Sequence, residues 1–185
     1  MPTVYQIEAD NGYQYLNSVN SAEYREESTK SWKFDGSEIG STWKPVAMFN
    51  REPKLKKPDI WTLLRGALAF EPSAAEIVES CLEKSGEQLP LPFESRELVV
   101  FNTTYVLECL DLEKTVYPDG LPHMIKKFAF HLDRLDQSLF KIPQNTNYIL
   151  TVEGLASPQD EFKPLVEKYG LKGLWFRPVW SSDST

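Results

Sequence analysis

The clearest helical period in this chain lies in one stretch. Ala74, Ile77, Val78, Cys81 and Leu82 recur at i, i+3, i+4, i+7 and i+8, which places them on one face of an α-helix. Most other apolar runs are short and bounded by Gly, Pro, Asn or Asp, the pattern of strands and turns. Thirteen prolines in 185 residues leave little room for further long helices. These limits predict an α+β fold: a mainly antiparallel sheet with two or three packed helices and a β-rich N-terminal part. A chain of this length, 41% hydrophobic, can bury a sizeable core as one domain.

Within that single domain, residues 1–57 are predicted to be β-rich and residues 58–185 to carry the helices. VYQI and YQYL flank Asp10-Asn11-Gly12, a hairpin signal, and STWKPVAMF reads as another short strand. A basic, proline-bounded stretch over 51–58 reads as a surface loop. The helix is expected over 74–84, with Ser73 and Glu76 as a capping box and Gly86 as its stop. Glu87–Phe93, with two prolines, is expected to be an extended connector, and Leu98–Phe101 a buried strand. Asn102 would cap an amphipathic turn over 103–110. Residues 125–132, 139–142 and 148–152 read as strands. Ser157-Pro158 starts the last helix, with Phe162, Leu165, Val166 and Tyr169 inward; Pro164 either marks its true start or kinks it.

Lys168–Trp180 closes that helix and opens a strand. Gly170 sits where a left-handed residue stops a helix. Leu174, Phe176, Pro178 and Trp180 then alternate with Trp175, Arg177 and Val179. Pro178 cannot donate to a ladder, so this strand is expected to lie at a sheet edge or to end there, with the edge position preferred. Leu174 and Phe176 read as core. The cost of exposing tryptophan favours a covered side for Trp175 as well.

Charge narrows the partners. The net charge is −7, which argues against nucleic acid, because phosphate binding needs clustered Lys and Arg. Between Glu76 and Lys114, nine acidic side chains face three basic ones. This block is the most partner-like feature of the composition, although a solvated helix face is the commoner meaning of such a block. No apolar run reaches the ~20 residues of a membrane helix. The start of the sequence lacks the basic and apolar regions of a secretory signal, so a cytoplasmic location is expected.

Motifs for catalysis are missing. Cys81 and Cys109 form no CxxC pair and read as reduced core thiols. His123 and His131 lack a third metal ligand in any recognised spacing, although His131 and Asp133 would share a strand face. No GxSxG, GxGxxG or P-loop signature occurs. The expectation is a protein that is not an enzyme and uses neither cofactor nor metal.

Three stretches carry a resemblance: residues 56–93, residues 98–115 and the C-terminal run 139–180. They resemble the Imm11 family of bacterial immunity proteins, with an E-x-L-P connector after a helix, an Asn-bearing strand, LD-x-E, and a closing F-x-x-L-x-x-x-x-G-L-x-G-L-x-F. The positions that match are Glu87, Leu89, Pro90, Asn102, Leu110, Asp111, Glu113, Phe162, Leu165, Gly170, Leu171, Gly173, Leu174 and Phe176. Residues 1–55 are largely unmatched, while Pro164 and Glu108 depart from the pattern.

The resemblance implies an immunity protein of a polymorphic toxin system, used in interbacterial competition. Such a protein binds and neutralises a cognate toxin that acts in the cytoplasm and is encoded by a neighbouring gene. An acidic inhibitor fits a basic toxin. The candidate toxin-binding residues are Glu79, Glu83 and Glu87, then Asp111 and Glu113. Trp175 and Arg177 join them because interface hot spots favour Trp and Arg. A small-molecule enzyme and a peptide-binding regulatory module are the alternative readings.

Overall fold

The structure is a computed structural model that describes residues 1–20, 22, 32–63, 66–121 and 124–184. Its strands are β1 (Thr3–Ala9), β2 (Leu16–Ser18), β3 (Met48–Asn50), β4 (Ile60–Leu63), β5 (Ala67–Phe70), β6 (Gly86–Phe93), β7 (Arg96–Thr103), β8 (Leu139–Ile142), β9 (Asn145–Glu153) and β10 (Leu174–Ser181). The helices are α1 (Pro72–Ser85) and α2 (Phe162–Lys168). A first sheet has the order β10-β1-β9-β8, a second β4-β5-β7-β6, and β2 and β3 form a small pair. Every pairing between these strands is antiparallel. This is the mainly antiparallel α+β architecture that the sequence predicts.

Three apolar clusters give the molecule its layers. The central cluster takes Ile7, Leu139 and Ile149 from the first sheet, Ile60, Leu68, Phe70 and Phe101 from the second, and the inward stripes of both helices. Phe101, Phe70, Phe162 and Phe176 meet in sequence, edge to face, at centroid distances of 6.5, 6.3 and 6.3 Å. This geometry suits the ring quadrupoles and runs from one sheet through α2 to the other. On its other side the second sheet is covered by Leu16, Trp32, Phe34, Ile39, Val46 and Met48. The outer side of the first sheet is covered by Cys109, Leu110, Phe128, Phe130 and Leu135.

Several local expectations change. The Asp10-Asn11-Gly12 turn forms, with Gly12 N donating to Asp10 Oδ1 at 2.9 Å, but it closes no hairpin. β1 lies between β10 and β9, while β2 pairs with β3. Helix α1 starts earlier than expected: Glu71 is the N-cap, Pro72 occupies the first turn, and no side chain caps it. Ala74 N and Ala75 N donate to Glu71 O instead. The Glu71 carboxylate is engaged by Lys57 and Arg96. Glu87–Phe93 is a ladder strand rather than a connector, paired along its length with β7. Its position at the sheet edge lets Pro90 and Pro92 sit in it.

Residues 103–110 form no helical turn. The segment runs along the edge of β8, where Lys141 N donates to Tyr105 O and Leu107 N to Lys141 O. Residues 125–132 form only isolated bridges, Val116 to Lys127 and Leu110 to Phe130. Phe128, Ala129 and Phe130 are all buried in succession, so this segment lacks the in–out alternation of a strand with one solvent-facing side.

Near the C-terminal helix, Ser157 and Pro158 open a 3-10 turn over Pro158–Asp160, and α2 follows at Phe162. Tyr169 is exposed, not inward. Pro164 is the third residue of α2, where a backbone N–H has no intrahelical acceptor. Leu165 N already makes the first turn's bond to Glu161 O at 3.2 Å. Pro164→Ala should therefore shift unfolding free energy by less than about 1 kcal/mol, measured by denaturant melts. A loss of mid-helix size, about 3 kcal/mol or more, would contradict this placement.

Candidate functional site

The acidic candidates do not form one surface. Glu79 and Glu83 are exposed on the outer side of α1, beside Glu76, because the opposite stripe of Ala74, Ala75, Val78, Cys81 and Leu82 is fixed in the core. No ion pair ties these three carboxylates to another described residue. Asp111 and Glu113 lie elsewhere, in the segment over the outer side of the first sheet. Asp111 is largely committed: Glu113 N and Lys114 N donate to its Oδ1 at 3.2 Å, and Lys114 Nζ lies 3.4 Å from Oδ2. Partial burial would raise its pKa, but the bonds and charge of Lys114 outweigh this and hold it below the usual carboxylate range. Glu113 is exposed.

Glu87 has a different task. It is half-buried on β6, opposite Asn102 of β7. Its Oε1 accepts from Ile39 N at 2.6 Å and from Asn102 Nδ2 at 2.8 Å, and its Oε2 accepts from Gly40 N at 3.0 Å. Asn102 Nδ2 also donates to Ser37 O at 2.8 Å. The strap over residues 34–40 is thus held down by buried polar groups rather than by a strand pairing.

A third tether comes from β8. Lys141 is fully buried, and its Nζ donates to Phe34 O at 2.7 Å. Burial pushes its pKa down to about 8, with the nearby Asp35 charge pulling the other way. Sequence reasoning missed Lys141 altogether, because a lysine between Phe140 and Ile142 reads as an outward strand position. The signal available was the resemblance, which singled out Glu87 and Asn102 without giving a reason.

Trp175 and Arg177 do share a face. β10 is an edge strand as expected, but that face is open rather than covered. Trp175 is 51% exposed. Arg177 Nε donates to Glu8 at 2.7 Å and its Nη2 to Gln6 at 2.6 Å. Leu174 and Phe176 pack on the central core. The alternation then breaks, because the β1 register slips between Val4 and Tyr5 and leaves Val179 unpaired. Trp180 consequently turns to the outer side with Val179, against Phe130 at 5.6 Å. Below this bulge lies a cavity of about 630 Å³. Phe128, Ala129, Pro178, Val179 and Trp180 form its walls, and Lys114 and Lys127 also line it.

The groups considered for catalysis are poorly placed for it. Burial raises Cys81 to about 11 and Cys109 to about 12, so neither is a thiolate near neutral pH. Residues 132–134 form a 3-10 turn, so His131 and Asp133 do not share a strand face. His123 lies outside the described residues. Among the described residues, no group of three or more His, Cys, Asp or Glu could hold a metal ion. None of their helices is long and apolar enough to cross a membrane. No protein-family model matches this chain, and no curated protein matches it.

Two measurements test the clamp. Glu87→Ala leaves two backbone donors and the Asn102 amide without their acceptor. It should cost about 2–3 kcal/mol of stability in denaturant melts, with Glu87→Gln costing less. Lys141 has a folded pKa of about 8 against an ordinary 10.5, so the unfolded chain binds more protons between those values. Stability should therefore rise with pH across that window, by at most about 3 kcal/mol. Lys141→Met should remove the rise; a rise of equal size in that variant would assign it to other groups.

Proposed function

We propose that this protein is an immunity protein that binds a bacterial toxin acting in the cytoplasm and neutralises it by occlusion. The observation that carries this reading is the outer face of α1, where Glu79 and Glu83, with Glu76, stand exposed and unpaired among the described residues. Their helix is pinned along its other side by the central core. A rigid anionic face raises the encounter rate with a basic partner and disfavours partners of like charge. The resemblance stated above supports the same reading, and its Glu87 and Asn102 act here as scaffold rather than contact. A partner of this kind needs no catalytic group on the inhibitor.

The test is a calorimetric titration of this protein into a catalytically inactive form of the toxin encoded by the neighbouring gene. One-to-one binding is expected, weakening as salt rises. Glu79→Lys with Glu83→Lys should reduce affinity by about tenfold or more, chiefly through a slower on-rate. Asp111→Lys with Glu113→Lys should change it by less than about threefold, because those residues lie on another surface. Absence of binding would overturn the proposal and favour the small-molecule enzyme or the peptide-binding module.

A further inference from the structure

The four outer margins of the two sheets differ in how they are closed. The outer edge of β8 is occupied by residues 105–107. β6 carries Pro90 and Pro92, and Trp43 Nε1 donates to Pro90 O at 2.8 Å. At β4, Asp59 N and Ile60 N donate to Lys172 O at 2.9 and 3.0 Å. Among the described residues, only β10 lacks such a device over its first half. Asp10 N donates to Gly173 O at 3.0 Å, so the hydrogen-bonded pairs with β1 continue at Glu8–Trp175 and Gln6–Arg177. The amides and carbonyls of Leu174 and Phe176 therefore point away from β1, toward the free edge. Pro178 shares their phase, and its ring ends the row of donors.

The outer face along this edge is graded. Trp175 stands at one end and half-buried Arg177 follows. The 630 Å³ cavity opens beside Val179 and Trp180, about 13 Å from Trp175 at ~3.3 Å per strand residue. Phe128, Ala129, Pro178 and Val179 make its interior apolar, and the described residues of its lining include two lysines, Lys114 and Lys127, but no carboxylate. The Glu8 carboxylate near Arg177 is already bonded to that guanidinium, and Asp111 is bonded to Lys114.

The geometry points to a docking site for an extended segment of a partner protein, added as a further strand beside Leu174–Arg177. Backbone bonds to Leu174 and Phe176 give affinity, and side chains of one parity give selectivity. On the outer face the segment presents a bulky apolar residue to the cavity. An acidic residue two positions away meets Arg177 and the lysines at the cavity, and an apolar or aromatic residue two further on covers Trp175. The favoured pattern is therefore apolar-x-acidic-x-apolar, in an extended chain. This surface is separate from the acidic face of α1 and does not depend on the toxin reading.

The experiment is selection of a phage-displayed library of random 12-residue peptides against the full chain, followed by calorimetry with synthetic copies of the enriched sequences. Enrichment of the apolar-x-acidic-x-apolar pattern is expected. Lys127→Glu, at an exposed position, and Val179→Trp, which fills the cavity, should each weaken binding about tenfold or more. Glu79→Lys with Glu83→Lys should leave it unchanged, so failure here is distinguishable from failure of the toxin proposal. Hydrogen exchange should show the Leu174 and Phe176 amides fast in the free protein and slowed by peptide. The inference is overturned by no enrichment, by peptides that bind both cavity variants as well as the parent, or by Leu174 and Phe176 amides already protected without peptide.

Discussion

The molecule depends on one shared apolar contact surface. Neither four-stranded sheet shares a strand with the other, and each would leave a broad apolar face in water alone. The series Phe101, Phe70, Phe162 and Phe176 removes both faces at once, with α1 and α2 filling the space between them. Burial of such side chains contributes roughly 1.5–3 kcal/mol each, so this layer outweighs any single polar contact on the surface. It also fixes where functional groups can stand. The outer side of α1 is presented rigidly because its inner stripe is committed, and Trp175 is turned outward because Leu174 and Phe176 are turned in.

Acidic composition and acidic surface are different properties here. Glu87 holds the strap over residues 34–40, Glu71 joins Lys57 and Arg96, and Asp111 orders its own turn. Glu161 is 2% exposed and accepts from Gly154 N, Leu155 N and Ala156 N at 3.0, 2.7 and 2.8 Å. Each of these carboxylates is committed to donors within the fold, and for Glu161 and Glu87 some of those donors are shielded from water. Counting charges along a sequence cannot separate these from Glu79 and Glu83, because the distinction is made by the folded backbone and, for Glu87 and Glu71, by partners far away in the chain.

The same limit explains which parts of the fold were legible. Local chemistry revealed the stripe of α1, the edge position of β10 from Pro178, and the strands at 139–142 and 148–152. It failed where distant residues decide. β1 pairs with β9 and β10 rather than with its neighbour, and the slip opposite Val179 turns Trp180 to the other side. The three buried residues Phe128, Ala129 and Phe130 follow a surface instead of a strand period. Lys141 is the clearest case: its burial depends on the Phe34 carbonyl, 107 positions away.

The pairing of β1 has a further consequence, for the order in which the chain can acquire structure during synthesis. The second sheet is built wholly from residues 60–103 through antiparallel pairs, so its ladder is available once that stretch has left the ribosome. β1 is made well before its partners, residues 150–153 and 174–181. Until they arrive, an apolar strand stays open to wrong neighbours, and closing so long a loop slows the final step. Completion of the first sheet must thus wait until residues 174–181 have been made, and in that interval the open strand is exposed to non-native pairing.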